Sequence, residues 1–121
     1  MSIAVGIDLG TTNSVAAFKF AALEVVSAPD NAPPDYALTR SAVVYGPQGP
    51  RVGQEAIAQL VAAPDRVVMS IKRLMGRGLA EPAVQDYRAR NPQLAIERPA
   101  GGTDQGLALR VGGALHAPED I

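Results

Sequence analysis

The chain has 121 residues, a formal net charge of −1 and 47% hydrophobic residues, a composition typical of a protein with a packed core. The charge gives no reason to expect binding to nucleic acid or to an anionic membrane. The absence of cysteine excludes disulfides and thiolate metal sites. Because no apolar run reaches the roughly 18 residues of a membrane-spanning helix and no signal-peptide pattern is found, we expect a soluble, cytoplasmic protein.

The amino-terminal half of the chain is predicted to be rich in strands. Short apolar runs bounded by turn residues predict strands over residues 3–9, 14–20, 23–26, 42–45 and 51–52. Residues 28–36 collect prolines, aspartates and an asparagine, which is typical of a loop. The first two strands flank a short polar bend and are expected to form a hairpin.

Three helices are predicted in the middle of the chain. Apolar residues at helical spacing predict the first over 54–62. Pro64 is expected to end it and to begin a second helix, in which apolar residues recur at helical spacing over 67–75. The third is expected over 82–90, where an Asn-Pro pair follows it, and Arg88 is expected on its solvated face.

The last part of the chain is predicted to return to strands. Apolar runs at 94–98 and 107–111 flank a glycine-rich turn over 101–106, and a short segment follows at 114–115. The final Pro-Glu-Asp run at 118–120 is typical of a helix start. Because a helix of about one turn cannot hold itself, we expect the chain to be a truncated part of a longer one.

The bend between the first two strands carries residue types suited to binding phosphate. Gly10 lets the backbone approach a ligand closely, since it has no side chain. Thr11, Thr12 and Ser14 offer hydroxyl groups, and backbone N–H groups in a bend can converge on an anion. Asp8, at the end of the first strand, could hold Mg²⁺ directly or through water. The alternative is an ordinary hairpin turn, in which all of these residue types are common.

Three sequence blocks resemble those of a known family. Residues 6–14, Gly-Ile-Asp-Leu-Gly-Thr-Thr-Asn-Ser, resemble the first phosphate-loop signature of the Hsp70 chaperones, which belong to the actin-like ATPase superfamily. Residues 51–56, Arg-Val-Gly-Gln-Glu-Ala, resemble the strand-to-helix step of that family. Residues 70–77, Ser-Ile-Lys-Arg-Leu-Met-Gly-Arg, are most similar to a block of the specialised bacterial Hsp70 that assists iron–sulfur cluster assembly. The resemblance is weak over 79–115.

The chain departs from the family pattern at two places. Many Hsp70 proteins have Thr-Pro-Ser before the strand that corresponds to residues 42–45, where this chain has Thr39, Arg40 and Ser41. Gln54 stands where aspartate is usual. Neither departure removes a residue that the resemblance assigns to phosphate.

The resemblance implies an α/β fold, namely part of lobe I of the actin-like ATPase (ribonuclease H-like) fold. Residues 1–39 would begin the actin-like subdomain and would carry the phosphate-binding hairpin. Residues 40–115 would form a smaller, inserted subdomain of strands and helices. Residues 116–121 would begin a following helix.

The resemblance also implies a nucleotide site for ATP or ADP with Mg²⁺. Asp8 would hold the hydrated metal ion. The residues that would bind the phosphates all lie in the hairpin bend: Gly10, Thr11, Thr12 and Asn13.

Lys72 matches the catalytic lysine of the family, and Arg73 matches an arginine near the nucleotide cleft. A lysine near the γ-phosphate could offset developing negative charge and orient an attacking water. The alternative is a solvated basic flank near a helix C-terminus. His116, the one histidine, has no cysteine or carboxylate pair to complete a metal site or a catalytic triad, and we expect it at the surface.

The resemblance further implies what the complete protein does. ATP hydrolysis would drive the capture and release of client proteins, with a J-domain co-chaperone and an iron–sulfur scaffold protein as expected partners, and without nucleic acid or membrane. The chain alone would be inactive. Two alternatives remain: a sugar-kinase-like member of the same superfamily, against which the block at 70–77 argues, and a short, non-enzymatic interaction module.

Overall fold

The first sheet contains the predicted hairpin. A computed structural model describes residues 2–19, 21–26 and 38–121. The sheet consists of antiparallel strands β1 (Ala4–Leu9), β2 (Asn13–Lys19), β3 (Leu23–Val25) and β4 (Thr39–Arg40). Strand β2 pairs with the other three, so β4 joins the hairpin to the part of the chain that follows.

The second sheet follows directly after β4. It contains β5 (Ala42–Gly46), β6 (Gly49–Val52) and β7 (Val67–Met69), with β5 in the centre and both pairings antiparallel. Helix α1 (Gln54–Ala58) packs against this sheet through its buried residue Ala56. The smaller of the two hydrophobic cores that the described residues form lies there and contains Ala42, Val44, Ala56 and Val67.

The third sheet lies at the carboxyl-terminal end of the described residues. It contains β8 (Ala95–Glu97), β9 (Ala108–Val111) and β10 (Ala114–His116), with β9 in the centre. Helix α2 (Pro82–Arg90) shares a hydrophobic core with this sheet through its buried residues Val84 and Tyr87. The larger core is built from buried side chains of α2, this sheet and neighbouring segments: Val68, Leu74, Val84, Tyr87, Leu94, Ile96, Leu107, Leu109 and Val111.

The hairpin presents apolar side chains to solvent. Ile3, Val5, Ile7 and Leu9 occupy alternate positions and therefore share one face of the strand. They are 53% to 70% exposed, whereas Leu74 and Leu109 of the larger core are fully buried. Both cores formed by the described residues lie outside the first sheet.

Most of the predicted elements are confirmed. Strands form at every run that the sequence singled out, and α2 has the predicted bounds, with an Asn-Pro pair after it. Pro118–Asp120 forms a single 3₁₀ turn. The first predicted helix is shorter than expected, because α1 ends at Ala58 and turns follow. The predicted loop over 28–36 and residue 20 lie outside the described residues.

The second predicted helix is wrong. After a 3₁₀ turn at Pro64–Arg66, Val67–Met69 forms β7 and pairs with β5. Val67 and Val68 are β-branched, a type that favours strands, and adjacent residues of a strand face opposite sides. Val67 accordingly lies in the smaller core and Val68 in the larger one. Burial on both faces of β7 therefore replaces the single apolar stripe of a helix.

The architecture agrees with the expected mixed α/β class, since three antiparallel sheets are combined with two short α-helices in the described part of the chain. None of the helices described here is long and apolar enough to span a lipid bilayer. The division at residues 39 and 115 stays a prediction.

Candidate functional site

The bend of the hairpin is tightly closed. Leu9 pairs with Ser14 and β2 already begins at Asn13, so residues 10–12 make the connection between β1 and β2. A Cβ atom at Gly10 would overlap the backbone carbonyl oxygen of Asn13. The local path of the backbone therefore requires glycine at this position, in addition to any approach of a ligand.

One cavity brings the bend and the second sequence block together. It has a volume of about 300 Å³, and Gly10, Ser14 and Lys72 all line it. Gly10 and Lys72 are separated widely in sequence, so the fold unites two of the residues singled out above. Among the described residues, Asp8, Thr11, Thr12, Asn13 and Arg73 do not line this cavity.

Lys72 lies on a single 3₁₀ turn, Ile71–Arg73, rather than on the predicted α-helix. The Lys72 and Arg73 side chains are exposed, as expected. Leu74, which follows them, is fully buried and anchors the turn to the larger core. The turn thus exposes two positively charged side chains, while the buried Leu74 next to them holds it against the core.

A buried phenol supports the start of this segment. The Tyr87 hydroxyl donates a 2.6 Å hydrogen bond to the carbonyl oxygen of Met69, the last residue of β7. Burial raises the pKa of Tyr87 to about 12, although the charge of Arg73 acts in the opposite direction. The phenol therefore remains protonated at neutral pH and can keep donating.

Asp8 is an exposed carboxylate two residues before Gly10. It lies on β1, opposite Val15. Within the described ranges, no group of three or more histidine, cysteine, aspartate or glutamate residues could hold a metal ion. A single carboxylate fits Mg²⁺ that keeps most of its waters and is shared with substrate phosphates.

Two polar residues have more contacts than the sequence suggested. His116 is partly exposed, and its ring centroid lies 4.4 Å from that of Tyr45, so it packs against a second aromatic ring rather than extending freely from the surface. Arg88 does not simply extend into solvent, because its guanidinium donates a 2.9 Å hydrogen bond to the carbonyl oxygen of Ile96. Both residues tie elements of the fold together.

Sequence reasoning did not assign Ser41 to the site. Its hydroxyl donates a 2.7 Å hydrogen bond to the carbonyl oxygen of Gly10, which is 31 positions away in sequence. It also lines the cavity with Lys72. No periodicity or local spacing signals a contact at that separation.

Comparison with known proteins identifies the family. A family model described as "Hsp70 protein" matches residues 4–121. This chain belongs to the Hsp70 family. The resemblance carried by the three sequence blocks is therefore confirmed.

Several curated Hsp70 proteins resemble the chain over most of its length. It is 43% identical over 107 residues to "Chaperone protein HscA homolog" of Actinobacillus pleuropneumoniae serotype 5b. The aligned residues cover 88% of this chain and 16% of the relative. It is 48% identical over 80 residues to the HscA homolog of Azotobacter vinelandii, covering 65% of the chain and 12% of the relative. "Chaperone protein DnaK" of Thermus thermophilus is 38% identical over 121 residues, covering 100% of the chain and 18% of the relative. The chain thus spans less than a fifth of the length of these relatives.

Proposed function

We propose that this chain is the amino-terminal part of the ATPase of an Hsp70-type chaperone that acts in the cytoplasm. The observation that carries the proposal is the cavity shared by Gly10 and Lys72, because it joins the hairpin bend to the lysine-bearing turn. Family membership supports nucleotide binding by the complete protein. ATP hydrolysis in the complete protein would be coupled to the capture and release of client proteins.

The hairpin bend would bind the phosphates of ATP or ADP. The Thr11 and Thr12 hydroxyls and the backbone N–H groups of the bend would donate to phosphate oxygens, with Gly10 and Asn13 fixing the turn. When bound, magnesium would offset phosphate charge, and the Asp8 carboxylate would hold its water shell.

Lys72 would act on the hydrolysis step. Lys72 is exposed on a turn that the buried Leu74 follows, and it lines the same cavity as Gly10, which is the placement that a role toward the γ-phosphate would require. A cation there would stabilise charge that develops in the transition state and would orient the attacking water. Arg73, next to it and also exposed, would add positive potential near the cleft.

The partners would follow from the same assignment. Two of the relatives named above are HscA homologs, which favours a specialised Hsp70 of the kind that assists iron–sulfur cluster assembly. An iron–sulfur scaffold protein would then be the client, and a J-domain co-chaperone would stimulate hydrolysis. The residues that bind these partners are to be sought in the rest of the complete protein.

The test compares two lysine variants of the complete protein. Lys72→Ala should lower the rate of single-turnover ATP hydrolysis by about 100-fold or more, because the charge it contributes acts mainly in the transition state. The affinity for ATP should change by less than about 5-fold. The matched control is Lys19→Ala at the far end of β2, which is also exposed and should leave both quantities unchanged.

Hydrolysis by Lys72→Ala at the unaltered rate would contradict the assigned role. Transfer of the γ-phosphate to a sugar hydroxyl instead of water would favour the sugar-kinase alternative.

A further inference from the structure

Ser41 contacts both halves of the proposed nucleotide site. On one side, its N–H donates a 2.8 Å hydrogen bond to the carbonyl oxygen of Thr12. Its hydroxyl donates a 2.7 Å hydrogen bond to the carbonyl oxygen of Gly10. On the other side, its carbonyl oxygen accepts a 3.2 Å hydrogen bond from the N–H of Ser70. It lies between β4 and β5, where the first and second sheets meet.

The direction of the side-chain hydrogen bonds can be assigned. A hydroxyl has one hydrogen, and that of Ser41 is used toward Gly10. The 2.9 Å contact between the Ser41 and Ser14 hydroxyls must therefore have Ser14 as its donor. Ser14, Ser41 and Gly10 thus form a directed chain across the bend, and the one proton that Ser41 can donate is not free for a ligand.

The contact with Ser70 continues to Lys72. Ser70 has φ 53° and is the one residue other than glycine with positive φ in the described part of the chain. This left-handed residue turns the chain out of β7 and into the 3₁₀ turn that carries Lys72. Its carbonyl oxygen accepts a 3.1 Å hydrogen bond from the N–H of Arg73 and so closes that turn. Its side chain makes no capping hydrogen bond.

We infer that Ser41 is a positioning residue that sets the separation between the phosphate-binding bend and Lys72, an inference that rests on the proposed function. Its side chain makes two hydrogen bonds to the hairpin, with Gly10 and Ser14. Its backbone makes one hydrogen bond to Thr12 and one to Ser70, at the start of the lysine-bearing turn. Effective hydrolysis requires the bend and the cation to be held in one geometry, since a misplacement of about 1 Å can cost a factor of roughly 100 in rate. Ser41 acts through these residues and does not itself contact the reacting atoms.

The first test needs no nucleotide. In the complete protein without nucleotide, Ser41→Ala removes both side-chain hydrogen bonds to the hairpin and should raise amide hydrogen exchange at least about 10-fold at residues 12–14. Exchange at residues 70–73, which the backbone of residue 41 still contacts, and in β9 should be unchanged. Ser41→Thr keeps the hydroxyl and should restore protection. Ser2→Ala, at an exposed serine outside the strands, is the control. Unchanged exchange in Ser41→Ala would overturn the inference even if the protein hydrolyses no ATP.

The second test measures hydrolysis. Ser41→Ala should lower the single-turnover rate about 10- to 100-fold, while ATP affinity changes by less than about 5-fold. Ser41→Thr should recover most of the rate, which a loss of packing alone would not predict. An unaltered rate in Ser41→Ala would overturn the inference while leaving the Lys72 result, and with it the proposed function, intact.

A second variant, Ser14→Ala, tests whether the two serines act through one hydrogen-bond network. Ser14→Ala removes only the contact between the two hydroxyls and leaves the Ser41 bond to Gly10 in place. It should lower the hydrolysis rate by a smaller factor than Ser41→Ala and should add nothing further in the double variant. Full additivity of the two changes would contradict a shared network.

Discussion

Tyr87 links a helix, a core and a strand end through one side chain. It is almost fully buried on α2, contributes to the larger core and holds the end of β7 through its hydroxyl. It shares the buried side of α2 with Val84, three positions earlier, as helical spacing predicts. The hydrogen bond to Met69 crosses 18 positions and could not be foreseen from that pattern.

The raised pKa of Tyr87 makes stability depend on pH in the alkaline range. The unfolded chain loses this proton near pH 10, whereas the folded chain keeps it up to about pH 12. Between those values the unfolded state binds fewer protons, so the free energy of unfolding falls as pH rises. The stability that the protonated Tyr87 contributes is fully present below about pH 10 and is lost as the pH rises to about 12.

Tyr87→Phe should therefore have two effects. At neutral pH it should lower the free energy of unfolding by about 1–2 kcal/mol, since the Met69 carbonyl loses a buried partner. Above pH 10 it should remove much of the alkaline decline. Urea denaturation from pH 7 to 12 measures both. Tyr45→Phe is the comparison: burial and the charge of Asp120 also raise the pKa of Tyr45, so this variant should remove a smaller part of the decline. A decline in Tyr87→Phe identical to that of the unaltered protein would contradict the account.

Among the elements, helix α2 and strand β7 show what local sequence can and cannot reveal. Helix α2 has explicit boundary residues, with proline in its first turn and an Asn-Pro pair after it, and its prediction is confirmed. The residues of β7 fit helical spacing equally well. Pairing with β5 and burial on both faces decide in favour of the strand, and these are long-range effects.

The phosphate-binding role of the hairpin bend stays a prediction, and the contacts that hold the bend in place could not be foreseen from the sequence. Residue type and the resemblance both single out Gly10, Thr11 and Thr12. The contact between Gly10 and the Asn13 backbone and the contacts with Ser41 depend on the folded path of the chain.

Two glycines of the hairpin allow a matched comparison. A methyl group at Gly10 would overlap the Asn13 carbonyl oxygen, whereas nothing lies within 4 Å of one at Gly6. Gly10→Ala should lower the free energy of unfolding of the hairpin by about 1–3 kcal/mol. Gly6→Ala should raise it by about 0.5 kcal/mol, because alanine loses less entropy in a strand. Amide exchange of β1 and β2 measures both, and equal effects would contradict the assigned role of the bend.

At the scale of the whole molecule, the described residues bury their apolar side chains unevenly. The second and third sheets have cores, while the apolar face of β1 lies in solvent. Exposed apolar strands of this kind commonly mark surfaces that contact other protein. The relatives, of which the chain matches 12% to 18%, have ample further sequence to supply such a contact.

The measurement that most directly tests the central claim is nucleotide affinity in the complete protein with both Thr11 and Thr12 replaced by alanine. If the bend binds phosphate, loss of two hydroxyl donors to a charged ligand should lower the affinities for both ATP and ADP by roughly 10- to 1,000-fold. Thr103→Ala, at an exposed threonine in the turn before β9, should leave both affinities unchanged. If the double variant binds ATP and ADP as tightly as the unaltered protein, the hairpin is an ordinary turn and the phosphate site lies elsewhere.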